Sequence, residues 1–162
     1  MQIKRYRGAL LLALTAAMML GVYLFSAQSG ERSSSLSQEA LELVRRLLPG
    51  VYELLARGGR PEFALRKLAH LSEYALLGLI VYALLRKKLS PLPAAVTALV
   101  LCVGFAITDE WHQLYVPGRD GNIRDVFIDS AGSSAGIALG LLGTGLRWAL
   151  FRQFPIRREK RA

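Results

Sequence analysis

The sequence predicts an all-α fold, a polytopic membrane bundle of four transmembrane helices with both termini in the cytoplasm and amphipathic helices between spans one and two. Three observations predict it. Apolar residues make up 52% of the 162 positions although the chain carries a formal charge of +9, and a membrane protein reconciles the two by gathering apolar residues into spans and basic residues into loops. Four apolar runs recur along the chain, at lengths suited to a hydrocarbon core of about 30 Å. The Lys and Arg residues divide unequally between the two sets of connections that those runs define. A length of 162 residues suits one domain, taken here as residues 1–162. The positive charge points to anionic lipid and away from nucleic acid, since no basic and aromatic face is present. A single cysteine, Cys102, leaves no intramolecular disulfide to form.

The first run is Gly8–Ala27, preceded by Lys4, Arg5 and Arg7. A cleaved signal peptide is the rival reading. Its apolar core is usually about 7 to 15 residues, shorter than this one, and Phe25 spoils a small-x-small cleavage site at Ala27. Residues 28–66 form a polar arm, too long for an unstructured connection in a compact protein. Its start, SGERSSSLSQ, reads as loop with a cap at Ser37. Leu36, Ala40, Leu43, Leu47, Val51 and Leu54 then recur at helical spacing, with Glu and Arg filling the opposite face. Pro49 and Gly50 divide this into two short helices, expected to lie on the membrane surface or to cap the bundle.

Span two covers residues 68–85 and ends at Arg86, Lys87 and Lys88; Pro91 and Pro93 open span three, residues 92–108; span four covers 126–151 and precedes Arg157, Arg158, Lys160 and Arg161. On this topology 12 Lys and Arg residues fall on the side of the termini and 9 on the other, which also holds 11 of the 12 acidic residues. The richer side is assigned to the cytoplasm.

Three spans then deliver ionisable residues to one depth at the outer leaflet. Lys67, His70, Glu73 and Tyr74 lie at the outer end of span two, within about a third of a turn of one another. Asp109, Glu110 and Gln113 end span three, Arg119 sits in the following loop, and Arg124, Asp125 and Asp129 open span four. The Asp125–Asp129 stripe continues through Gly132, Gly136 and Gly140, and small residues four apart form a helix-packing face, so the acidic pair points into the bundle. Intramembrane charge usually marks a site. Three readings stand: ion pairs that hold the spans in register, a site for a polar headgroup, and catalysis. No H-E-x-x-H or cysteine-pair motif assigns a metal, although His70 and the carboxylates suit a divalent cation. His112 reads as interfacial beside Trp111 and Tyr115. Ser130, Ser133 and Ser134 sit in a small-residue helix without a G-x-S-x-G turn, so they read as packing.

Arg66-Lys67-x-x-His70-x-x-Glu73-Tyr74-x-x-Leu77, then Asp109-Glu110-x-x-Gln113-x-x-x-Pro117-Gly118-Arg119, then Asp125 with Gly132 and Gly136, together resemble the VanZ-like family. Phe25-Ser26-Ala27-Gln28-Ser29 resembles the serine-rich end of that family's first span. Ala27 and Asp129 depart from the pattern, where Ser and Asn are frequent. The resemblance implies a bacterial plasma-membrane protein, and an effect on sensitivity to the glycopeptide teicoplanin that does not go through altered cell-wall precursors. The residues themselves suggest partners at the outer leaflet: a membrane lipid, a cell-wall precursor or a lipoglycopeptide antibiotic. Lys67, Arg119 and Arg124 would meet phosphate or carboxylate, with Glu110, Asp125 and His70 orienting them or holding a metal. The alternative is a membrane-embedded hydrolase or transferase acting on a lipid-linked phosphate or glycan, with His70 or a carboxylate as base.

Overall fold

The computed structural model describes residues 2–153, which form six helices and, among the described residues, no strand. The basic tail from Arg157 to Arg161 lies outside the described residues. Helix α1 is Gln2–Ser26, α2 Gly30–Leu47, α3 Pro49–Ala56, α4 Pro61–Leu85, α5 Pro91–Gln113 and α6 Ile123–Gln153. Four of them, α1, α4, α5 and α6, are long and apolar enough to cross a bilayer. Their outward faces carry large apolar side chains such as Leu10, Leu76, Val100 and Leu142, as lipid-facing surfaces require.

The arm differs from its expected form at one end. The stretch read as loop is helical, because α2 starts at Gly30: Ser29 is the cap, its Oγ accepting a hydrogen bond from the Arg32 backbone nitrogen at 3.4 Å. Ser37 lies inside the helix, its Oγ donating to the Ser33 carbonyl at 2.8 Å. Serine disfavours a helix interior by only a few tenths of a kcal/mol, so the docking of α2 against α4 decides the conformation. The break falls where expected, with Pro49 as the first residue of α3. Gly59, at φ +71°, then turns the chain into α4. Helix α4 starts at Pro61, two turns before the expected span. Helix α5 likewise runs through Asp109 and Glu110 to Gln113, beyond its expected end.

Helices α4 and α6 form the tightest pair. Gly132 sits against Leu71, Gly136 against Ala75, and Gly140 against Leu79 and Tyr82. The contacts advance by four on both helices, so the two run parallel. At Gly132 and Gly136 a methyl group would meet the backbone carbonyls of Leu71 and Ala75, and at Gly78 one would lie 2.6 Å from the Ser133 carbonyl. Helix α5 closes on the pair with its own stripe of small residues four apart, Ala94, Ala98, Cys102 and Ala106, all buried. Tyr74, Leu77, Val81, Val126 and Ile137 complete this core, while α1 packs mainly on α4.

Candidate functional site

Helix α4 presents two faces to the polar end of the bundle. At about 100° per residue, Lys67 and Tyr74 share one face and point to α5 and α6. Arg66, Ala69 and Glu73 share another, turned toward α1 and α2, and His70 lies between the two. Because α4 and α6 are parallel, the second and third turns of α4 face the first two turns of α6. Lys67 Nζ pairs with Asp125 Oδ1, and His70 Nδ1 stands 3.3 Å from Asp129 Oδ1. Asp129 is fully buried and Asp125 nearly so.

The last turn of α5 adds Asp109, Glu110 and Gln113, all buried. Gln113 Nε2 donates to Asp109 Oδ2 at 3.4 Å, and Asp109 Oδ1 has no hydrogen-bond partner. Glu110 braces the loop 114–122: its Oε2 accepts from the Asn122 backbone nitrogen at 2.7 Å. His112 stacks on Tyr23 of α1, ring centroids 4.8 Å apart, while Trp111 and Tyr115 are exposed beside it.

Arg119 ties this loop to α1. Its Nε donates to the Gln28 carbonyl at 3.0 Å and its Nη2 to the Phe25 carbonyl at 2.9 Å. Carbonyls at and just past a helix C-terminus lack intrahelical donors; the Phe25 carbonyl also accepts from the Gln28 backbone nitrogen at 3.3 Å, and the guanidinium adds a donor to each carbonyl. Gly118, at φ +71°, shapes the turn, and the Gly30 nitrogen donates to the Pro117 carbonyl at 3.0 Å. Burial, and then the neighbouring Arg66 guanidinium, push the Arg119 pKa below its ordinary value. Arg119→Ala is expected to free the α1 end: hydrogen exchange at residues 27–31 and 114–122 should quicken by about tenfold, as the loss of a charged hydrogen bond implies, while exchange in α4 and α6 stays slow. Unchanged exchange in both loops would show that the clamp contributes nothing.

Between α1, α2, α4 and Arg119 lies a cavity of about 190 Å³, several times the roughly 30 Å³ of a water molecule in the liquid. Its lining mixes apolar side chains, Val22, Phe25, Leu36, Ala40, Leu65 and Ala69, with polar ones, Arg66, His70, Glu73, Asp109 and Arg119, together with Ser26, Gln28, Ser33 and Ser37. A family model described as VanZ/LLP1 matches residues 11–144, a range that contains every residue of this lining. The chain belongs to the VanZ/LLP1 family. No curated protein and no solved structure matches it significantly. The VanZ/LLP1 match also runs through the arm at 28–66, which the motifs alone did not reach.

Within this VanZ/LLP1 bundle the polar residues read from the sequence meet at one end, but they separate into three tasks. Lys67, Asp125 and Asp129 are engaged between α4 and α6, with His70 bridging to the cavity. Tyr74 is fully buried beneath them, against Phe105. Glu110 and Gln113 hold the loop and Asp109, respectively. Only His70, Glu73, Asp109 and Arg119 line the cavity. Lys67 and Arg124 stand outside the cavity lining: Lys67 is held by Asp125, and Arg124 is exposed, its backbone nitrogen bonded to Asn122 Oδ1 at 3.0 Å. Arg66 lines the cavity as well; it belongs to the family motif but not to the expected site, and its spacing of four from His70 and seven from Glu73 is the signal that places it with them. Among the described residues no group of three His, Cys, Asp or Glu side chains has the arrangement of a metal site.

Proposed function

We propose that this VanZ/LLP1 protein is a plasma-membrane protein that binds the phosphate-bearing headgroup of an envelope lipid at its extracytoplasmic face. The observation that carries the reading is that Arg66 and Arg119 both line a cavity whose lining is otherwise rich in apolar side chains. The Arg66 guanidinium disfavours the charge of Arg119, an anion set between the two offsets that, and guanidinium matches phosphate geometry. Val22, Phe25, Leu36 and Leu65 in the lining suit the first carbons of a lipid chain. The Lys and Arg distribution supports an extracytoplasmic position for this end, where a cell-wall precursor or a lipid-anchored glycopeptide would also be met. Through that encounter the protein affects teicoplanin sensitivity.

The test is native mass spectrometry of the purified protein titrated with phosphatidylglycerol or with diacylglycerol, which lacks the phosphate. The phospholipid should bind in preference, and Arg66→Gln should weaken it by about tenfold, the scale of one hydrogen bond between charged groups. Equal binding of the two lipids would overturn the reading. Where the protein confers teicoplanin resistance, Arg66→Gln should bring sensitivity close to that of the deletion.

One observation favours a second reading, a hydrolase or transferase acting on a lipid-linked phosphate or glycan. His70 lines the cavity while its Nδ1 stands 3.3 Å from Oδ1 of the buried Asp129, a proximity from which a carboxylate could orient an imidazole as general base once the two align. Product released from envelope lipids by the wild type and lost in His70→Gln would establish turnover; no product across phospholipids and polyprenyl phosphates would retire it.

A further inference from the structure

The cavity wall carries more than cations. Glu73 and Asp109 line it together with Arg66 and Arg119. Asp109 is 3% exposed, and its Oδ1 is buried without a hydrogen-bond donor. Among the described residues neither it nor Glu73 forms an ion pair. Lys67, the nearest lysine in sequence, is occupied by Asp125, and His70 is turned to Asp129. An anionic ligand alone would satisfy the guanidiniums and leave two carboxylates facing added negative charge across a small cavity, where partly buried charges are screened less than exposed ones.

Resting on the lipid-headgroup reading above, we infer that the preferred headgroup is zwitterionic, a phosphodiester joined through a short linker to a primary ammonium. Phosphate oxygens lie with Arg66 and Arg119, and the ammonium lies with Glu73 and Asp109. A primary ammonium offers three N–H donors to those oxygens, whereas a trimethylated one offers none. The cavity thus selects an ethanolamine-type headgroup over both a glycerol-type anion and a choline-type zwitterion. Phosphate is common to all three, so the carboxylates of the lining set the choice.

The experiment is a native mass spectrometry titration of the full chain in detergent with phosphatidylethanolamine, its mono-, di- and trimethylated derivatives, phosphatidylglycerol and diacylglycerol, all of one acyl composition. The ethanolamine lipid should bind about tenfold more tightly than the glycerol lipid, as one hydrogen bond between charged groups would give, and affinity should fall stepwise with methylation. Glu73→Gln should erase the ethanolamine preference while retaining phosphatidylglycerol. If that variant does not fold, the methylation series on the wild type decides alone. Phosphatidylglycerol binding equal to or tighter than phosphatidylethanolamine, with both above diacylglycerol, overturns this inference and leaves the headgroup reading standing. Failure of every phospholipid to exceed diacylglycerol overturns both. Free O-phosphoethanolamine distinguishes the source: displacement of the lipid at equal concentration identifies a soluble amino-phosphate as the ligand, and no displacement identifies the lipid.

Discussion

Gly136→Ala is expected to destabilise the bundle by about 2 kcal/mol or more, the range of overpacking a close contact, even though alanine is the better helix former by roughly 1 kcal/mol. The added methyl group would coincide with the Ala75 carbonyl, a backbone atom that cannot rotate away. Helices α4 and α6 would have to separate, and with them the residues held between them at the polar end. Gly145→Ala in the same helix is the control, because a methyl group there meets nothing within 4 Å. Unfolding titrations in mixed micelles should show the first variant destabilised and the second unchanged or slightly more stable. Equal behaviour of the two would mean that the close approach does not govern helix pairing.

Lys67→Met should cost a similar or larger amount, about 3 kcal/mol, at the lower end of the range for removing one partner of a buried pair. The lower end applies because the two side chains keep 19% and 11% of their exposure. What is lost is chiefly the neutralisation of Asp125, which stays buried near the carboxylates of Asp129 and Glu110 without its cation. The double variant Lys67→Met with Asp125→Leu should recover most of that stability, since two apolar groups of similar size replace the pair without stranding a charge. A double-mutant cycle on unfolding free energies measures the coupling. If the double variant is no more stable than the single one, the pair contributes through hydrogen bonds that neither apolar residue restores.

The four apolar helices and the packing stripe were legible in the sequence because each follows from periodicity within one segment. Gly132, Gly136 and Gly140 repeat every four residues, and their partners needed only to be near. Polar convergence at one end was also legible, since alternation of direction between spans places Lys67, Asp109 and Asp125 at the same depth. The division of labour among these residues was not. Lys67 and Arg66 are neighbours in the chain, and the helical rotation of about 100° between them sends one to Asp125 and the other to the cavity. Choosing between them requires the position of α1 and α2, which no periodicity reveals. The serine-rich start of α2 was misread for a related reason: local composition favoured loop, and contact with α4 overrode it.

Helix α2 buries a single residue, Leu41, and α3 buries none, yet α2 supplies Ser33, Leu36, Ser37 and Ala40 to the cavity. An element with so little buried surface detaches at a lower free energy than the body it rests on. On the proposed headgroup reading, a lipid would enter sideways beneath α2 with α4, α5 and α6 undisturbed, so changes in the arm that spare Ser33, Leu36, Ser37 and Ala40 would alter the speed of loading before the grip of the site.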